Sequence, residues 1–191
     1  MKKRTGIYGG SFNPIHLGHV SLAKALAESS LVDEMWLLVS PQNPFKANAN
    51  LLDDETRLRL TRLAVSDVPG VEVCDREFFL PRPSYMFNTL TALSREHPDR
   101  EFVLVIGAAN WERFPDWYRS SDILAAYRVI IYPRPGFVLP DVPKGVTIAD
   151  TPLLDISSTA IRRRIANDPD YDGEGLPPAV WKEIKATGLY R

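Results

Sequence analysis

One cysteine, Cys74, stands in 191 residues, so no disulfide can form within the chain. That suits a reducing compartment and predicts a cytoplasmic protein in which Cys74 is a small buried hydrophobe. Charge of either sign is not in excess: 23 basic against 24 acidic residues give a formal net charge of −1. A broad nucleic-acid surface is therefore not expected, although a local basic pocket is compatible with this balance. No run of about 18 apolar residues occurs, which excludes an ordinary membrane span. The basic start, Met1-Lys2-Lys3-Arg4, is not followed by the apolar stretch of a signal peptide. Histidines number three. A zinc site needs three or four ligands, and His97 sits apart in a His-Pro turn, so a metal centre is not expected. No internal repeat or low-complexity tract is visible.

What is present is ordinary in bulk and unusual in detail. A hydrophobic fraction of 45% with 25% charged residues is that of a globular protein, and the length suits one domain over residues 1–191. Apolar runs at 34–39, 101–106 and 128–132 read as strands buried on both faces. Shorter strands are expected at 4–8, 71–74 and 146–149. Helical periodicity falls at 17–29, 53–66, 84–95, 120–126, 157–165 and 177–187, with Asp53 or Asp54 as a cap for the second. Residues 78–83 and 107–117 read as loops. Alternating strands and helices predict an α/β fold: a Rossmann-like, doubly wound parallel sheet with helices on both faces. Residues from about 150 to 191 form a small C-terminal helical part. Ligands of such a sheet bind at the carboxyl ends of its strands.

Three segments at that edge carry the chemistry. The first is Gly9-Gly10-Ser11-Phe12-Asn13-Pro14-Ile15-His16-Leu17-Gly18-His19. It reads as strand, glycine turn and helix start, where backbone N–H groups and the helix dipole favour an anion. Gly9 and Gly10 admit close backbone approach, Gly18 admits close packing against a nucleotide, and His16 and His19 add donors. The alternative is that both histidines only cap the helix or sit in the core. The second segment is Ile156-Ser157-Ser158-Thr159 with Arg162: an N-cap with redundant hydroxyls on one reading, half of a triphosphate clamp on the other. The third is the loop 41–46, ending at Lys46, which is either idle in solvent or a phosphate contact.

These segments, in this order, resemble the nucleotidyltransferase superfamily with the His-x-Gly-His motif, and within it the bacterial nicotinate-nucleotide adenylyltransferases. The resemblance also takes in Ser84-Tyr85, Thr89-Leu90, Gly107, Trp117-Tyr118, Arg134 and the tail Gly188-Leu189-Tyr190. It implies that ATP and nicotinate mononucleotide are joined to deamido-NAD with release of pyrophosphate, in NAD biosynthesis. It implies catalytic roles for His16, His19, Lys46 and Arg162, and an ATP site formed by Gly9, Gly10, Ser11, Phe12, Gly18, Ile156, Ser157, Ser158 and Thr159. It further implies an acceptor site at Ser84, Tyr85, Met86, Gly107, Ala109, Asn110, Trp117, Tyr118 and Arg134, with Trp117 stacked on the pyridine ring. Mg²⁺ would arrive with ATP. The chain departs from the family pattern at Ala109, where an acidic residue is usual, and at Met86 and Asn88, where threonine and aspartate are usual. These changes touch the acceptor side and leave the ATP motifs intact. The rival acceptors are nicotinamide mononucleotide and phosphopantetheine; a non-catalytic nucleotide-binding module is the rival of another class.

Overall fold

The computed structural model describes residues 1–41, 51–133, 141–152 and 154–191. The first strand, β1 (Lys3–Gly10), leads into α1 (Leu17–Ala27) and then β2 (Glu34–Val39). Next come α2 (Asp54–Val65), β3 (Val71–Cys74), a 3-10 turn (Arg76–Phe79) and α3 (Met86–Glu96). The chain continues through β4 (Arg100–Gly107), α4 (Ala108–Glu112), a second 3-10 turn (Phe114–Asp116), α5 (Ser120–Ala126) and β5 (Arg128–Tyr132). It closes with β6 (Val146–Ile148), α6 (Ser158–Asn167) and α7 (Pro178–Thr187).

The six strands form one parallel sheet in the order β3-β2-β1-β4-β5-β6. The order reverses direction on either side of β1, which opens a crevice at its carboxyl end. The central strands alternate their side chains between two cores. Tyr8, Met35, Leu37 and Val105 join α1, α2, α6 and α7 on one face. Ile7, Leu38, Leu104 and Ile106 join α3, α4 and α5 on the other. All six residues of β2 are buried, as its continuous apolar run requires. Among the described residues no helix is long and apolar enough to cross a membrane.

Two expectations are corrected. The glycines 9 and 10 are not a turn. They are the last residues of β1 and keep register with Leu38 and Val39 of β2, because the ladder continues until Ser11 leaves the plane of the sheet. Residues 107–117 are not a plain loop either. They hold α4 and the second 3-10 turn, organised by their own aromatic residues: Phe114 packs against Trp111 at 5.1 Å and Trp117 at 5.3 Å between ring centroids.

Candidate active site

The turn between β1 and α1 carries the first motif, and it is held in an uncommon shape. Phe12 has φ 45°, in the left-handed region that non-glycine residues avoid. Its ring is buried and meets Tyr8 and His19 edge-on at 5.8 and 5.1 Å, so packing holds the conformation. Bonds from distant parts of the chain fix the rest of the turn. The Arg162 guanidinium donates to the Asn13 carbonyl at 2.8 Å, and the Ser158 hydroxyl donates to the Pro14 carbonyl at 2.9 Å. The Tyr190 hydroxyl donates to Asn13 Oδ1 at 2.7 Å. The Leu17 N–H donates to the Gly175 carbonyl at 2.8 Å. Burial pushes the Tyr190 phenol far up, so that it keeps its proton and stays a donor.

His16 is the N-cap of α1 and His19 its third residue. The two imidazoles are stacked, 3.6 Å between centroids and 21° between planes. The His16 backbone N–H donates to His19 Nδ1 at 3.2 Å. An accepting Nδ1 places the proton of the neutral His19 ring on Nε2, so His19 presents a donor on the side away from its own helix start. Gly18 has a role that the sequence reading placed elsewhere: a Cβ there would stand 3.0 Å from the His16 ring, so its bare backbone makes room for the imidazole.

Two clefts open at this edge, one on each face of the sheet. The first is lined by Tyr8, His16, Gly18, His19, Tyr132 and the segment from Thr151 to Ser157, excluding residue 153. The second reaches from Gly9, Gly10 and Ser40 to Asn110, Trp117 and Tyr118. Between the clefts runs the end of β1, with Tyr8 facing one side and the two glycines bordering the other.

The residues expected in an ATP site divide accordingly. Gly18, Ile156 and Ser157 line the first cleft with both histidines. Gly9 and Gly10 border the second. Ser158, Thr159 and Arg162 brace the turn: Arg162 reaches Thr159 Oγ1 at 3.3 Å as well as Asn13. Ser157 is the N-cap of α6 and accepts from the Ala160 N–H at 3.4 Å. Ser11 accepts from Arg57 through its carbonyl.

Of the acceptor-site residues, Ser84, Tyr85, Met86, Asn110, Trp117 and Tyr118 come together around the second cleft. The Tyr85 and Tyr118 rings lie 5.0 Å apart. Gly107 and Ala109 are absent from that lining. Gly107 instead ends β4, where a Cβ would strike the Tyr132 ring at 2.9 Å. Lys46 and Arg134 lie outside the described residues.

Three charged residues that the sequence reading passed over belong to this edge. Arg57, on α2, is fully buried. It donates to the carbonyls of Ser11 at 2.7 Å, Ser40 at 2.8 Å and Leu52 at 2.9 Å, and pairs with Asp54 at 2.6 Å. Arg113 and Glu77 both line the second cleft. Glu77 is buried, with Thr89 donating to its Oε1 at 2.8 Å. Burial raises its pKa, against the opposing pull of nearby Ser40, Thr89 and Ser84 hydroxyls. A raised carboxyl holds its proton in the fold over a pH range where the unfolded chain has released it. Stability from this group is therefore lost as pH rises from the usual carboxylate range through the raised value. Glu77→Gln mimics the protonated form. Urea titrations of both proteins across this range should show the wild type losing stability relative to the variant as pH rises; parallel curves would contradict a buried neutral Glu77.

Among the described residues no group of three His, Cys, Asp or Glu side chains is placed to hold a metal ion.

Known proteins share this architecture and this sequence. The cytidylyltransferase-like family model matches residues 7–164. The "probable nicotinate-nucleotide adenylyltransferase" of Bacteroides fragilis is 48% identical over 185 residues, covering 96% of this chain and 92% of the relative. The protein of the same description from Porphyromonas gingivalis is 40% identical over 188 residues, covering 97% and 95%. Among solved structures, the nicotinic acid mononucleotide adenylyltransferase of Plasmodium falciparum complexed with NaAD matches with a TM-score of 0.79 at 19% identity, over 98% of this chain and 97% of that one. With relatives this close over nearly its whole length, and with the His-x-Gly-His turn lining a cleft at the carboxyl edge of the sheet, the chain belongs to the nicotinate-nucleotide adenylyltransferase family.

Proposed function

We propose that the two clefts hold the two substrates of adenylyl transfer, ATP on the histidine side and nicotinate mononucleotide on the Trp117 side, with the reacting phosphates meeting at the end of β1. The observation that carries this reading is the position of the histidine pair. It stands at the border of the first cleft, and the strand end that carries it also borders the second.

The chemistry asks little covalent work of the protein. A 5′-phosphate oxygen of the mononucleotide attacks the α-phosphorus of ATP, a new P–O bond forms, and the bond to the β-phosphate breaks to release pyrophosphate. The second pKa of such a phosphate is near 6, so the nucleophile is already anionic at neutral pH and no general base is needed. Alignment for in-line attack and stabilisation of the leaving charge supply the rate. His19 donates through Nε2 to phosphate oxygens as charge builds on them, with His16 stacked on it to fix its plane. One such donor contributes about 3 kcal/mol when its bond tightens in the transition state. Arg162 and the start of α6 close the turn from the other side, and Lys46 offsets triphosphate charge. Trp117 offers its face to the pyridine ring.

Mg²⁺ fits this arrangement as an ion carried by the triphosphate rather than one caged by carboxylates. Bound that way it neutralises phosphate charge, while the chain's own residues orient and bind.

A panel of acceptors tests the function. With ATP present, pyrophosphate release is expected with nicotinate mononucleotide at the highest kcat/KM, ahead of the amide mononucleotide and phosphopantetheine. ATP binding without pyrophosphate release on any acceptor would establish a binding module instead.

A further inference from the structure

We propose that Arg113 selects a carboxylate-bearing acceptor over the corresponding amide by pairing with the ring carboxylate. The inference rests on the assignment of the second cleft to the pyridine mononucleotide.

Only two charged side chains are among the described residues lining that cleft, Glu77 and Arg113. They differ in kind. Glu77 lies buried, with Oε1 engaged by Thr89, in surroundings that favour its uncharged form. Arg113 carries a guanidinium, a planar fork of donors that matches a carboxylate. Arg113 is thus the one cationic side chain among the described residues of the lining.

Position decides which part of the ligand feels that charge. The cleft has two ends. Gly9, Gly10 and Ser40, at the ends of β1 and β2, border the histidine turn, where the reacting phosphate must lie. Asn110, Arg113, Trp117 and Tyr118 come from α4 and the following 3-10 turn, beyond β4 on the far side of β1. Arg113 is four residues before Trp117 in one compact turn, closed by the Asp116 N–H to the Arg113 carbonyl at 3.0 Å and the Trp117 N–H to the Phe114 carbonyl at 3.0 Å. A ring stacked on Trp117 would share that end of the cleft with Arg113, while the phosphate would lie toward Gly9 and Gly10. Acid and amide acceptors share the ribose and the phosphate and differ only at the ring substituent. A guanidinium fork meets a carboxylate through two parallel charge-assisted bonds; an amide offers it one neutral oxygen.

The decisive measurement is the ratio of kcat/KM for nicotinate mononucleotide to that for nicotinamide mononucleotide in wild type, Arg113→Gln and Arg113→Lys. The glutamine variant should lower the ratio by about 10- to 100-fold, with most of the loss on the acid. Lysine, which keeps the charge without the fork, should fall between. The KM for the acid should rise with ionic strength in the wild type and lose that dependence in Arg113→Gln. Equal losses on both acceptors would mean that Arg113 serves the phosphate or the fold, and an unchanged ratio would mean that it faces solvent. Either overturns the proposal. Failure of the underlying assignment looks different: Trp117→Ala would then raise the KM for ATP and leave the KM for both mononucleotides unchanged.

Discussion

His19→Ala should lower kcat by about 10²- to 10³-fold, the range for removing one donor aimed at developing charge. The side chain has two jobs that the experiment must separate. Its Nδ1 accepts the His16 N–H, a helix-capping bond worth about 1 kcal/mol of stability. Its Nε2 is the donor assigned to the phosphates. His19→Asn keeps a short acceptor near the helix start while withdrawing the reach of the imidazole. Similar melting temperatures for wild type and His19→Asn, with kcat still down by two orders of magnitude, would place the effect in the chemistry. A rise in KM for ATP at unchanged kcat would show that His19 binds only the ground state.

Arg57→Ala should cost about 3–5 kcal/mol of folding stability, as expected when one partner of a buried ion pair is removed. The guanidinium is fully buried, and its loss strands the carbonyls of Ser11, Ser40 and Leu52 together with an oxygen of Asp54. Arg82 still reaches the other Asp54 oxygen, so the carboxylate keeps one cation. For a chain of this size the melting temperature should drop on the order of 10 °C. Arg57→Lys keeps the charge but cannot address three carbonyls at once, and should recover only part of the loss. A change below about 1 kcal/mol in urea unfolding would mean that water replaces the guanidinium without penalty.

Much of the fold was legible because its strands are apolar runs with sharp ends. β2, β3 and β5 begin and end where the sequence predicts. Where the reading failed, the cause is physical. A glycine pair looks like a turn in sequence, and only pairing with β2 shows that the ladder passes through it. The segment from Trp111 to Trp117 lacks a stripe of helical period because Pro115 breaks it into a short helix and a 3-10 turn, whose rings pack on one another as well as on the sheet's core. Much of the candidate site's lining falls within motifs read at 9–19, 84–86, 117–118 and 156–162. The supporting groups do not. Arg57 looks like a solvent-facing charge on a helix and Glu77 like one in the connection after β3, and nothing local tells a buried charge from an exposed one. Arg113 left one trace, a cation four residues before a tryptophan expected to stack. The tail at 188–190 matched the family without an evident purpose; the bond from Tyr190 to Asn13, across 177 positions, supplies one.

The separation of the two clefts by β1 has a consequence for how such a protein can change. The residues that line the second cleft come largely from the start of α3 and the stretch after β4, while those that line the first come largely from the turn after β1 and the approach to α6. The two sets share a strand end and little else. On the proposed assignment of the clefts, a new acceptor specificity can be written into residues 84–86 and 110–118 while the transfer machinery stays untouched. For an engineer this makes the chain a socket with one fixed side and one exchangeable side.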